Sequence, residues 1–285
     1  MTVPPQSVTR RRVTTGLAWS APAVAAAVAA PLASASPCRD VSQTVAWNSP
    51  QYTRGSDTQG VYQAPAPAGA IPESGLRVTV TARYGSNMTS GALDAPNANL
   101  VPSNNGVQGG TSQYLAFHQR PLVVTTTKGR ESPNGWDFSL ASMTSTTRQN
   151  NTGAYTVTFD RPVTNLTFTL MDIDSAGGGT ADPDFYDIVW ATGSLGGSPV
   201  PFTGSLQNTG HLTGSGSVTD PWRARNSNAP VAGTSASGNV TVRFASAVTS
   251  FTIFYAHGVR KTGGRSDPDQ AIFLSNLEFT TSTCV

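Results

Sequence analysis

Lysine and glutamate are nearly missing from this chain: two Lys and three Glu in 285 residues, with only 12% of residues charged. That is about half the usual share of charge. Lys, Glu and Leu make helix surfaces, so their scarcity excludes a helical bundle, a coiled coil or a large α/β enzyme. A disordered chain is excluded as well, because 38% of residues are apolar and the aromatics are spread throughout. Familiar catalytic signatures are also missing. No G-x-S-x-G elbow, H-E-x-x-H helix or phosphate loop occurs. Glu73, Glu131 and Glu278 carry no pairing signature for glycoside hydrolysis. A non-catalytic chain is therefore expected.

The N-terminus supplies an address. Thr9, Arg10, Arg11, Arg12 and Val13 precede an Ala-rich apolar stretch from Leu17 to Leu32, and Ala33-Ser34-Ala35 fits a small-residue cleavage site. The adjacent arginines and weak apolar core predict a cleaved export signal of the twin-arginine type over residues 1–35. A general secretory signal is the alternative. Pro22 and Pro31 interrupt the stretch, which argues against a transmembrane anchor. Cleavage removes three Arg and no acid, turning a net charge of +2 into −1. No basic cluster then remains for nucleic acid. The expectation is a secreted or cell-envelope protein with one domain, 36–285, and no membrane span.

Cys38 and Cys284 are the sole cysteines. Outside the cell such a pair reads as a disulfide. It would bring the two ends of the mature chain within about 7 Å of each other, which favours one closed, monomeric unit.

Between them lie some eleven short runs of β-branched and aromatic residues on a period of two, separated by Gly, Pro, Asn and Asp. Among them are 76–84, 114–119, 154–159, 166–173, 186–192, 239–244 and 251–257. They predict an all-β fold, an antiparallel β-sandwich of jelly-roll, lectin-like type. One repeat is visible. "GAYTVTFDRPVTNLTFTLMD" (153–172) aligns with "GNVTVRFASAVTSFTIFYAH" (238–257) at a constant offset of 85, with seven of twenty positions identical. Each copy reads as strand, short turn, strand. Asp172 and His257 then occupy equivalent strand ends.

The densest polar feature is "MDIDSAGGGTADPDFYD" (171–187). Asp172, Asp174, Asp182, Asp184 and Asp187 are five of the chain's thirteen aspartates. Hard oxygen ligands in a Gly-rich loop suit Ca²⁺, and on an extended strand Asp172 and Asp174 share one side. The competing reading is turn chemistry, since Asp caps its own backbone. Paired carboxylates here would also serve a hydrolase acting on polysaccharide. His118, His211 and His257 lack metal spacing and read as structural. Trp222, between Asp220 and Arg223 in "TDPWRARN", has the setting of a sugar-stacking side chain, with packing into the core or under its loop as the competing reading. Tyr186 joins these three as a ligand-binding candidate. Trp136 and Trp190 sit in strand-like runs and read as core.

The chain resembles a group of secreted actinobacterial proteins of unknown function. The shared pieces are the twin-arginine start with "AWSAPAVAAAVAA", a Cys just after cleavage, "VTFDRPVTNLTFTLMDID", "DPWRA", "GNVTVRF" and "QAIFLSNLEFT". Its "VTNLTFTLMDID" segment is also similar to the lectin-like β-sandwich of CshA-type fibrillar adhesins. That resemblance implies a non-catalytic module at the cell surface binding a glycan or an extracellular protein. A purely structural envelope protein is the third reading.

Overall fold

The computed structural model describes residues 38–66, 75–91, 98–103, 114–121, 130–132, 135–137, 149–176, 185–226, 229–231, 235–258 and 270–284. Residues 1–35, read from sequence as an export signal, and Asp182 and Asp184 lie outside them. For Trp136, His257 and Cys284 only the backbone is described. Residues Cys38–Val285 form one compact unit.

The first ten strands, in chain order, are β1 (Cys38–Val45), β2 (Tyr52–Ser56), β3 (Gln59–Gln63), β4 (Arg77–Tyr84), β5 (Met88–Ser90), β6 (Pro102–Ser103), β7 (Tyr114–Pro121), β8 (Arg130–Ser132), β9 (Gly135–Asp137) and β10 (Thr152–Met171). Then come β11 (Ser175–Ala176), β12 (Phe185–Leu195), β13 (Ser198–Val200), β14 (Thr203–Leu206), β15 (Leu212–Thr213), β16 (Arg223–Ala224), β17 (Val240–Arg243), β18 (Val248–Gly258), β19 (Gln270–Leu274) and β20 (Leu277–Cys284). The fold is nearly all β, and among the described residues every strand pairing is antiparallel. No helix among the described residues is long and apolar enough to cross a membrane.

β10 organises the fold. Its first half pairs β4 on one side and β18 on the other. Its second half pairs β17 on one side and β19 and β20 on the other. The register shifts between Thr158 and Val163, and again between Thr164 and Thr167. Asn165 there takes a left-handed φ of 53°. The expected strand, turn, strand is thus one continuous bent strand. Pro162 lacks an N–H and lies within the first of these shifts, where a missing donor costs no ladder bond.

The aligned repeats are partners. β10 runs against β18 through Thr152–Thr158 and against β17 through Thr167–Leu170. Each copy crosses from one half of the sheet to the other and lies antiparallel to its counterpart. Hydroxyl pairs mark both crossings: Thr156 Oγ1 to Thr252 Oγ1 at 2.9 Å, and Thr169 Oγ1 to Thr241 Oγ1 at 3.3 Å.

The two halves fold face to face, giving the sandwich. Alternation puts Val78 and Val80 of β4 and Tyr155 and Val157 of β10 inside, with Thr79, Thr81, Thr156 and Thr158 outside. Across the gap Phe168 stacks on Phe251 with centroids 4.4 Å apart, and Phe117 stacks on Tyr155 at 4.3 Å. Each fully buried ring contributes roughly 1.5–3 kcal/mol. β1 pairs β20 in a register that sets Cys38 directly opposite Cys284.

Candidate functional site

Two places concentrate chemistry. The first is the end of β10. The strand stops at Met171, and Asp172 takes a left-handed φ of 67°. Asp is among the few non-glycine residues that visit this region readily. The kink breaks the extended alternation expected for Asp172 and Asp174, and Ile173 N–H donates to the Gly238 carbonyl at 3.0 Å. Asp174 and Asp187 come together instead through β11 and β12. Asp174 N–H donates to Asp187 Oδ2 at 3.1 Å, and Asp187 N–H returns to the Asp174 carbonyl at 3.0 Å. Tyr255 O–H donates to Asp187 Oδ1 at 2.6 Å, and Val231 N–H to Asp174 Oδ2 at 2.6 Å.

Asp187 is 1% exposed and has both oxygens engaged inside the fold. Its carboxyl is pushed well up by burial, then by the Asp174 charge, against the opposing Tyr255 hydrogen bond. Burial and then Asp174 raise Asp172 to about 8. Burial raises Asp174 to about 7, opposed by the Val231 N–H. No described cation offsets these charges. Among the described residues no three of His, Cys, Asp and Glu are placed to hold a metal ion. Of the three described carboxyls of this cluster, Asp172 and the second oxygen of Asp174 take no hydrogen bond from another described residue. Among the histidines, His118 is buried with its ring edge-on to Phe273, and His211 Nε2 is buried with no hydrogen-bond partner among the described residues.

The loop expected to carry sugar stacking is placed differently. Trp222 is 0% exposed, edge-on to Phe202 at 5.8 Å, and it bridges to Val189 of β12 through two backbone hydrogen bonds. Gly204 and Gly216 lie so close to its ring that a Cβ at either would overlap the indole. Gly216 also holds a left-handed φ of 79°, which suits glycine. Trp222 is thus a core residue, and the expectation of an exposed platform is corrected. Apolar volume outweighed its polar sequence neighbours. Tyr186 is corrected likewise: it is 2% exposed and donates its O–H to the Ala224 carbonyl. Asp220 and Arg223 serve their own turn. Asp220 Oδ2 accepts from Ser215 N–H at 2.8 Å, and Arg223 Nη1 donates to the Pro221 carbonyl at 2.8 Å.

The second place was not singled out from sequence. On the outer face of the β4–β10–β18–β12 sheet, ladder register lines up Arg83, Ala154, Phe254 and Trp190 in one row. Phe254 and Trp190 stack with centroids 5.1 Å apart and ring planes 6° from parallel. Ala154 leaves a gap between Phe254 and Arg83, and a cavity of about 250 Å³ opens there, with Gln149, Thr152, Tyr84 and Gly85 around it. Arg83 and Gln149 are exposed. Beside it, Thr81, Thr156, Thr252 and Thr192 form the next row. The one available signal was the large–small contrast of Ala154 against its strand partners, and only the register reveals it. Trp190, read as core, is 5% exposed and belongs to a separate outer cluster with Tyr186, Ile188 and Ala256.

Comparison of the chain with protein families, with curated proteins and with solved structures finds no match to any of them.

Proposed function

We propose that this chain is an exported, non-catalytic binding module, lectin-like or adhesin-like, recognising a glycan or an extracellular protein at or beyond the cell surface. The observation that carries the reading is the slot over Ala154. It is a concave site with an aromatic wall and exposed polar groups at its edge, which is the make-up of a small-ligand site. The resemblance to secreted actinobacterial proteins and to CshA-type adhesin domains points the same way. The mature chain is monomeric and closed by a Cys38–Cys284 bridge. The facing register of the two cysteines supports that bridge, and no free cysteine occurs among the described residues. Calcium fits in donor type, since Asp172 and Asp174 offer hard oxygens. It would be held by those two carboxyls, with Asp182 and Asp184 as the further candidates, while Asp187 braces Asp174.

The test is a binding screen over polysaccharides and matrix proteins, run with and without Ca²⁺, comparing the parent with Phe254→Ala. Retention of a ligand that the variant loses while still melting cooperatively supports the reading. Retention unchanged in the variant overturns the slot as the site. A second reading, an extracellular hydrolase acting on polysaccharide, draws on Asp172 and Asp174, whose carboxyls hold protons near neutral pH as a general acid must. Turnover abolished by Asp172→Asn would favour it.

A further inference from the structure

We infer that the slot over Ala154 takes a pyranose ring bearing a carboxylate, as in a polyuronate chain, with Arg83 reading the charge and Phe254 the ring face. The inference rests on the slot being the binding site and names the ligand class it selects.

The width of the slot comes from the ladder. Arg83 and Phe254 flank Ala154 on adjacent strands. Two strand spacings separate them by about 10 Å at the sheet. A ring in contact with both needs two van der Waals separations of about 3.5–4 Å. One flat ring fits and two do not. Trp190 stacks on Phe254 and lines the same cavity, so the aromatic wall is held in place by ring-on-ring packing. At about 250 Å³ the cavity lies below the roughly 300–1,000 Å³ of sites for drug-sized ligands. It holds one ring of a longer chain that leaves along the surface. The row of threonine hydroxyls on the next rung gives neighbouring sugars hydrogen-bond partners.

The charge comes from Arg83. It is exposed, and none of the described residues offers it a hydrogen bond or an ion pair. The half-buried arginines behave otherwise: Arg54 pairs with Asp57, Arg161 with Asp160 and Arg223 with Asp220. Arg83 shares its lack of an ion pair among the described residues with the exposed Arg39, Arg77, Arg120 and Arg243, and differs from them in lining a cavity beside an aromatic wall. A planar guanidinium fork is matched by a carboxylate in bidentate geometry. Gln149, exposed on the same rim, adds an amide donor. A neutral ring would satisfy the aromatic wall and leave the guanidinium unused.

The experiment measures binding of the mature protein to trigalacturonate, to its carboxyl-reduced counterpart and to an acidic hexapeptide, by calorimetry at low and high salt. Expected is binding of trigalacturonate at least tenfold tighter than of the reduced sugar, weakened by salt. Arg83→Gln should lose that tenfold preference and its salt dependence at an unchanged melting temperature, since Arg83 holds nothing in the fold. Equal binding of charged and reduced sugars, both lost in Phe254→Ala, overturns the carboxylate inference and leaves the binding-module reading standing. Preference for the hexapeptide overturns it in favour of a protein ligand. No binding of any probe overturns the inference, and the broader screen above then decides the module reading separately.

Discussion

Replacing Asp172 by Asn tests what neutralises the acidic cluster. Asn matches Asp in size and tolerates the left-handed backbone at this position, so the change removes ionisation and little else. In the fold this carboxyl is raised from 3.8 to about 8, by burial first and by Asp174 second. A folded value above the unfolded one means that the folded chain keeps a proton that the unfolded chain releases. Stability from this group is therefore fully present below about pH 4, falls as pH rises, and levels off above about pH 8. Each unit in that window costs up to about 1.4 kcal/mol. An independent group would cost the fold about 5 kcal/mol at pH 8 and under 2 kcal/mol at pH 5. Sharing the charge with Asp174 roughly halves both figures. In chelating buffer Asp172→Asn should then be more stable than the parent by about 2–5 kcal/mol at pH 8 and by about 1 kcal/mol at pH 5. At about 2–4 °C per kcal/mol for a chain of this size, thermal melts at the two pH values resolve the difference. With millimolar Ca²⁺ at pH 8 the order should reverse, because an ion bound to the carboxylates stabilises only the parent. A variant less stable than the parent at pH 8 in chelator would refute the argument from burial. No response of the parent to Ca²⁺ or to its removal would refute the calcium proposal.

Two further outcomes follow from the packing and the chain ends. Trp222→Ala should cost about 3–5 kcal/mol by opening a cavity against Phe202, Gly204 and Gly216. Ligand capture by the folded fraction should be unchanged, and selective loss of capture at unchanged melting temperature would restore Trp222 as a binding residue. Cys38→Ser should lower stability by about 5 kcal/mol in the chain-entropy model for a loop on the order of 250 residues closed by the proposed Cys38–Cys284 bridge. Intact mass before and after reduction checks the bridge directly, and a parent mass showing two free thiols would remove it.

Much of the architecture was legible because β patterning is local. Runs 76–84, 114–119 and 186–192 became β4, β7 and β12, and alternation assigned their faces. β1, β2 and β3 escaped notice, since stretches such as "CRDVSQTV" carry few large apolar residues and win their place by pairing with neighbours. The site was less legible. Asp172, Asp174 and Asp187 gather, but the left-handed turn at Asp172 sends the chain off the strand, and Asp187 faces the core because it shares the parity of Val189 and Ala191 on β12. Trp222 was open to two readings, a surface platform or core packing, because Asp220 and Arg223 flank a large apolar ring. Those two side chains stay with the turn while the indole is buried.

By itself the sequence determined the fold class and the inside and outside faces of the longer apolar strands such as β4, β10 and β12, since side-chain alternation and the scarcity of helix formers need no tertiary partner. It also contained the repeat. Only the tertiary structure decided that the two copies pair with one another, that β10 bends across both halves, and that Arg83, Ala154, Phe254 and Trp190 share a row. Those facts depend on register between strands up to some 170 positions apart in sequence. Register is set by the closing of the whole sandwich core, which no short window of residues encodes.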